Sequence, residues 1–517
     1  MNGAESLLET LGHNGVEICF ANPGTSEMHF VAALDKNPHV RGVLGLFEGV
    51  VTGAADGYSR ILDRPAVTLL HLGPGMANGL SSLHNALRAR SSIVNIIGDH
   101  AGYHRGLNAP LTSDIEGAAR PFSDWVRTSP SAETIATDAA DAIAYSLPGQ
   151  IASLILPADT AWNTAKNFTT PPSIAVANPR PVESSVIEAG AKALRANGPR
   201  TAILMGGRAL RTAQLKEAAR IAAVTGATLL SETFAPRTER GAGIPRTINV
   251  PYPVEPAVEL FKRFDTILLV DAKAPVAFFA YPDKPSRLTQ PDTTIITLSP
   301  IRGDSLQALT DLVDTFGKDV QNIKAPVAEL DISPQPSGMI DKKKLAAWLS
   351  GAIPENAIVL DESITTGEGF WNQTACSRPH DLFSATGGAI GWALPTAVGA
   401  AIAAPARKTI VLESDGSGMY MPQALWTYAR EQLDIIVLIF ANQKYQILRD
   451  EMANVGVPDF GPKASTLLDI DRPEIDWVAL STSLGVPASR VETIEDLAGA
   501  FASGLADAGP CLIEVPC

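Results

Sequence analysis

KTIVLESDGSGMYMPQALWTYAREQLDIIVLIFANQKY, residues Lys408 to Tyr445, carries the pattern from which the fold can be read. An apolar, β-branched run (Thr409–Leu412) leads into a Ser-Asp-Gly-Ser turn, a helix beginning near Pro422, and a second apolar run (Ile435–Phe440) that stops at Asn442. Strand, helix and strand in that order set two parallel strands side by side. Ligands of such sheets bind outside the carboxyl ends of the strands, which is where Asp415 and Asn442 fall. Singly, an Asp-Gly after a strand is most often a turn and an Asn the start of a loop. Together, a carboxylate, an amide oxygen and the flanking backbone carbonyls are hard ligands of the kind that hold Mg²⁺ against a diphosphate.

Around this unit, 517 residues leave room for about three domains. Hydrophobic residues at 45% and charged residues at 19% describe an ordinary globular chain. The net charge of −14, without a Lys/Arg-rich run, argues against nucleic acid or an anionic membrane as partner, so an anionic substrate must be met by local donors. Cys19, Cys376, Cys511 and Cys517 lack C-x-x-C spacing, which speaks against structural zinc and a disulfide framework. A helix-like start, AESLLETLGHNG, and no apolar run of membrane-spanning length place the chain in the cytoplasm.

The rest of the chain repeats the same alternation. Strands Val16–Ala21, Val43–Phe47, Ala66–Leu72, Ile93–Gly98 and Ile151–Leu156 alternate with helices and a Gly-rich turn, GPGMANG. A Pro-rich, aperiodic linker covers about 165–187, and another, KAPVAELDISPQPSG, precedes the last unit. The expected fold class is therefore α/β, with three doubly wound parallel-sheet domains at 1–165, 185–325 and 340–517. The middle one has a Gly206-Gly207 turn but no G-x-G-x-x-G spacing, so it reads as structural. Glu48 is a carboxylate in an apolar setting, LGLF before it and GVV after it. A helix-opening Glu favoured by the macrodipole is the plainer reading; burial would favour its neutral form and let it share a proton with a ring nitrogen.

Five blocks in order, FANPGTSE, FEGVVTGAADGYSR, HLGPGMANG, GGAIGWALPTAVG and SDGS…ANQKY, together resemble the thiamine-diphosphate decarboxylase and acetolactate-synthase superfamily, nearest in texture to benzoylformate decarboxylases and short acetolactate-synthase-like proteins. Asp415-Gly416, 25 residues (417 to 441) and Asn442 match its diphosphate and metal signature, with Ser414 where Gly is usual. The resemblance implies a pyrimidine-binding, a middle and a diphosphate-binding domain. It also implies thiamine diphosphate and Mg²⁺ held between two subunits of a homodimer or homotetramer, and a small 2-oxo acid as substrate. The reaction would run through a thiazolium ylid and an enamine, which is protonated to release an aldehyde or captured by a second carbonyl, as in an acetolactate-synthase-like transferase.

By motif, Glu48 would activate the pyrimidine, and Asp415, Asn442 and the Lys444 carbonyl would hold the metal. Gly388, Gly416, Ser417 and Tyr445 would surround the cofactor, with Ile390 beneath it. His71 would relay protons and Thr25 would contact substrate. His100 and His104 could face the site; His29 and His84 stay open, and His13, His39 and His380 read as surface residues. Where benzoylformate decarboxylases place a second catalytic His, this chain reads APVAFFAYP, so Phe278 or Phe279 would make that wall apolar. No flavin-binding block is visible. A 2-hydroxyacyl-CoA lyase and a non-catalytic paralogue are the rival readings; the first lacks a basic nucleotide pocket, and intact Glu48, Asp415 and Asn442 speak against the second.

Overall fold

β-Branched runs bounded by glycine, proline and polar turns become strands, and the small-residue runs between them become helices that cover both faces. The computed structural model describes residues 1–517 apart from 148, 169, 176–180 and 458, so part of the expected linker at 165–187 lies outside the described residues. Three sheets result. The first has six parallel strands in the order Arg41–Leu44, Ile18–Ala21, Ala66–Leu70, Ile93–Asp99, Ile151–Pro157 and Trp125–Thr128. The second has five, Ile248–Asn249, Thr228–Ser231, Thr201–Met205, Thr266–Val270 and Thr294–Ser299. The third has seven, Ala488–Arg490, Cys511–Pro516, Ile435–Ala441, Thr409–Ser414, Ala357–Glu362, His380–Phe383 and Thr238–Arg240.

The last of these comes from the middle stretch of the chain and runs antiparallel to His380–Phe383. It closes an edge that would otherwise expose unpaired backbone. It also overturns the reading of His380 as a surface residue. Register pairs His380 with Ala357 on one side and Arg240 on the other, the side chain is buried, and burial pulls the imidazole down to about 4.

GPGMANG is not a turn: it forms the first two turns of the helix Leu72–Ala89. Glycine weakens an isolated helix by about 1 kcal/mol per residue, but here the glycines permit contact. A Cβ on Gly79 would come 3.0 Å from Thr52 Cγ2, on the neighbouring helix Glu48–Leu62. That helix crosses a second partner just as closely. A Cβ on Gly399 would meet the Ala54 carbonyl oxygen at 1.7 Å, and one on Gly57 would meet the Thr396 oxygen at 1.9 Å. Through this crossing with the helix Ala393–Ala403, the first and third sheets share one apolar core containing Ala54, Tyr58, Trp392, Leu394 and Val398, whereas the second sheet keeps cores of its own. The crossing has no room for a single methyl: Gly399→Ala is expected to lower unfolding free energy by about 1–3 kcal/mol in chemical denaturation.

Candidate functional site

The carboxyl ends of the first sheet gather one set of polar groups. Glu48 opens its helix, is only 6% exposed, and accepts a hydrogen bond from Asn78 Nδ2 at 2.9 Å. Asn78 lies on the helix Leu72–Ala89, so the helix in place of a turn at GPGMANG supplies this partner. Gly75 is held small by the same carboxylate, since its Cβ would sit 3.0 Å from Glu48 Oε1.

His71 follows the strand Ala66–Leu70, and its Nδ1 lies 2.7 Å from Glu27 Oε2. Glu27 is fully buried. Its Oε2 also accepts the Gly24 N–H at 2.7 Å, while its Oε1 has no hydrogen-bond partner among the described residues and lies against Gly98, where a Cβ would intrude to 1.6 Å. Burial pushes this carboxyl up, opposed by the Gly24 N–H and by His71. When Glu27 is ionised, Nδ1 of His71 carries the proton and Nε2 is left as the free nitrogen of a half-buried ring. Gly24 makes room for that ring, because a Cβ there would stand 2.3 Å from Nδ1. Thr25 sits exposed in the same turn. His100 and His104 pack on each other, ring centroids 5.2 Å apart, in the loop after Ile93–Asp99, and make no hydrogen bond to His71 or Glu27.

The third sheet contributes the other set. Ser414 pairs with Phe440, so Asp415 and Asn442 leave adjacent strand ends as their order in the chain implies. The Ser-Asp-Gly-Ser turn closes as one helical turn, Asp415–Gly418. Ser414 itself is extended, with φ −93°, a conformation any residue adopts, so glycine is not required there. Asp415 Oδ2 accepts the Gln443 N–H at 2.6 Å and Oδ1 the Gly416 N–H at 2.9 Å. Burial raises this carboxyl and these amides oppose it. Asn442 Oδ1 accepts the Lys444 N–H at 3.1 Å. The Tyr445 ring covers Gly416, where a Cβ would come within 2.6 Å of it, and Ser417 Oγ donates to Glu413.

Beside them runs the glycine loop. Gly388 and Gly391 have φ of +74° and +80°, which disfavours any side chain, and Ile390 stands half-buried between them. Asn85 holds this loop through Nδ2 to the Ala389 carbonyl at 2.8 Å and Oδ1 to the Ala389 N–H at 3.2 Å. His84 Nε2 lies 3.1 Å from the Gly387 carbonyl. One helix thus carries Asn78 to the first set and Asn85 to the second.

Five contributing residues, Glu27, Asn78, Asn85, Glu362 and Glu413, were not singled out from sequence. Glu27 lies inside FANPGTSE, and an acid three residues after a glycine could have been suspected as its cap. Asn85 had no signal. Glu362 and Glu413, paired near the ends of neighbouring strands and buried beneath both loops, had no signal either. Glu362 accepts the Gly391 and Ala393 N–H groups at 2.7 and 2.8 Å, and Glu413 accepts the Ser414 N–H at 3.0 Å.

The donor set suits a diphosphate with a divalent ion. Asp415 retains lone pairs beyond its two amides, Asn442 and Lys444 bring neutral oxygens, and glycines leave the approach clear of side chains. Among the described residues no group of three or more His, Cys, Asp or Glu side chains could hold a metal by itself, so such an ion would need those neutral oxygens.

Comparison with known proteins gives the same pair of halves. Residues 1–118 match the model for the thiamine pyrophosphate enzyme N-terminal TPP binding domain, and 367–515 the C-terminal TPP binding domain. A provisionally named acetolactate synthase large subunit, IlvX of Mycobacterium tuberculosis, is 47% identical over 100% of this chain and 99% of its own. Benzoylformate decarboxylase of Pseudomonas aeruginosa is 27% identical over 98% and 97%. The structure of a thiamine diphosphate-dependent 4-hydroxybenzoylformate decarboxylase from Rhodococcus jostii RHA1 superposes with a TM-score of 0.82 over 100% of this chain and 99% of that one, at 24% identity, and shares its fold. With both binding domains present and a relative aligned from end to end, the chain belongs to the thiamine pyrophosphate enzymes.

Proposed function

We propose that this chain is a thiamine-diphosphate- and Mg²⁺-dependent enzyme that decarboxylates 2-oxo acids. The observation that carries the reading is the buried Glu27 bound to His71 beside exposed Thr25, a proton-handling pair at strand ends, in a chain that also keeps Glu48 and Asp415 buried. Bound thiamine diphosphate would supply the electron sink that makes loss of carbon dioxide feasible.

Glu48, kept dry and oriented by Asn78, would exchange a proton with the pyrimidine ring nitrogen. Asp415, Asn442 and the Lys444 carbonyl would ligate the metal, while Gly388, Gly416, Ser417 and Tyr445 would border the diphosphate and Ile390 would support the cofactor from below. Thr25 would orient the substrate carboxylate, and His71 Nε2 would hold or deliver a proton at the substrate oxygen, with Glu27 fixing its tautomer. The family's shared site implies at least a dimer, a homodimer or homotetramer, and the absence of a basic surface run and of a membrane-length helix among the described residues supports a cytoplasmic enzyme of small substrates.

A second reading, acetolactate-synthase-like transfer of the acyl group to another carbonyl, is favoured by the absence of His from 274–282 and by the 47% identical relative. Carbon dioxide release from a panel of 2-oxo acids, with and without thiamine diphosphate and Mg²⁺, tests the proposal. Release that needs both is expected; none from any acid, with cofactor binding shown by calorimetry, would refute it.

A further inference from the structure

Two arginines are buried among the described residues, Arg60 at 3% and Arg240 at 6% exposure, and their surroundings differ. Arg60 meets the Asp56 carboxylate through Nε at 2.9 Å and Nη2 at 2.6 Å, and its Nη1 donates to the Pro236 and Ser384 carbonyls. Its charge is paired and its donors are used. Arg240, the last residue of the strand Thr238–Arg240, makes no ion pair among the described residues. Its Nη2 donates to the Trp371 carbonyl, while Nε and Nη1 are buried without a hydrogen-bond partner. The guanidinium lies over the Trp371 ring, Cζ 4.1 Å from the centroid.

A buried charge left unpaired is among the costliest arrangements in a fold. Burial pulls the Arg240 guanidinium down to about 9, which still leaves it charged at neutral pH. The neighbouring carboxylates do not supply the missing partner. Asp361 favours the charged form without bonding to it, and its Oδ1 accepts the Ser363 N–H at 3.1 Å. Glu239 accepts the Thr212 N–H at 2.8 Å and lies 3.3 Å from Arg237. A second cation lines the same cleft, Arg246, which is exposed. The cleft holds about 300 Å³ of free space, part of it open to solvent, which suits a compact ion better than a cofactor. Arg240 pairs with His380, the first residue of its strand, so the cleft sits toward the amino end of the third sheet. Asp415 follows a carboxyl end of that sheet, away from it.

We propose that Arg240 and Arg246 form a binding site for a compact planar oxyanion of the carboxylate or carbonate kind, such as formate or hydrogencarbonate. The anion accepts the unused N–H groups of Arg240 and joins the strand Thr238–Arg240 to the helix Phe370–Gln373, which carries Trp371. Planar oxyanions match guanidinium donors in direction as well as charge, which a spherical halide does not. Water would accept the same N–H groups and leave the charge uncompensated. The ligand is structural: it neutralises a cation where the middle stretch of the chain closes the edge of the third sheet, and no bond is made or broken. The site is independent of the proposed function, because neither its residues nor its ligand enters the chemistry at Glu48, His71 or Asp415.

The test follows the thermal unfolding midpoint of the full chain at constant pH and ionic strength, as sodium gluconate is replaced by sodium formate and, separately, by sodium hydrogencarbonate. A saturable rise is expected, with a Kd of about 1–10 mM for these small oxyanions, whereas chloride, a single atom, should act only above about 100 mM. Arg240→Met keeps the reach of the side chain without its charge or donors and is expected to abolish the rise. Arg246→Ala, at the solvent edge, is expected to weaken formate binding about two- to fivefold, and it serves should Arg240→Met fail to fold. Crystals of the full chain soaked in bromide are expected to show an anomalous peak beside Arg240. A response that does not saturate, that survives in folded Arg240→Met, or that is unaltered in Arg246→Ala would overturn the site. A bromide peak without any formate effect would mean binding at crystal concentration only and would overturn it as well.

Discussion

Replacing Glu48 by Gln is expected to cut turnover by about 10²–10⁴-fold while leaving affinity for thiamine diphosphate little changed, the range set by loss of one positioned proton-transfer group. The substitution keeps the shape of the side chain and an oxygen for Asn78 Nδ2, so the 2.9 Å hydrogen bond and the opening turn of the helix can persist. What disappears is the exchangeable proton. Steady-state carbon dioxide release beside a calorimetric titration with the cofactor separates the two effects. A variant with full turnover would remove Glu48 from the proposed chemistry, and one that loses cofactor binding in equal measure would make it a binding residue instead.

Raising the pH of the metal-free protein from about 5 to 9 is expected to cost it stability through Glu362 and Glu413. Both are buried and adjacent. Glu362 is pushed up by burial, against the Ala393 and Gly391 N–H groups, and Glu413 by burial and then by the charge of Glu362. In the unfolded chain both ionise near the ordinary glutamate value of 4.5. The folded protein retains a proton well above that, so the stabilisation from proton retention is fully present below about 4.5 and is lost as the pH rises through the raised folded-state value. A tenfold change in a group's proton affinity corresponds to about 1.4 kcal/mol, so a loss of about 2–4 kcal/mol is expected over this window. Glu413→Gln removes one of the two charges and retains a group that can donate to Glu362 and accept from Ser417. Its unfolding midpoint at pH 9 should therefore exceed that of the unsubstituted chain, with the gap closing toward pH 5. Parallel pH profiles for the two proteins would show that the pair does not govern the pH dependence of folding.

Much of this is legible in the order of residues because it depends on local pattern. Strand runs such as Ile435–Phe440 stand out by β-branched, apolar continuity, and the spacing of Asp415 and Asn442 across one strand-helix-strand unit follows from parallel connection alone. GPGMANG misleads for a reason that is equally physical. Its glycines carry turn preference in isolation, and only contact with the helix Glu48–Leu62 makes a helix of them, by letting two backbones approach. His380 reads as a surface residue because its burial comes from Thr238–Arg240, a strand about 140 positions away that nothing near His380 announces.

The sequence by itself determined the α/β class, three parallel-dominated sheets, and the two polar ends at Glu48 and at Asp415 with Asn442, since each arises from neighbours within one strand-helix-strand unit. Tertiary structure alone decided the partners: Glu27 under His71, Asn78 on Glu48, Asn85 on the glycine loop, Glu362 beside Glu413, and Phe278 on Gly388. These pairs join residues that lie far apart in the chain or on separate elements, and their geometry is set by how sheets and helices pack, which no local periodicity encodes.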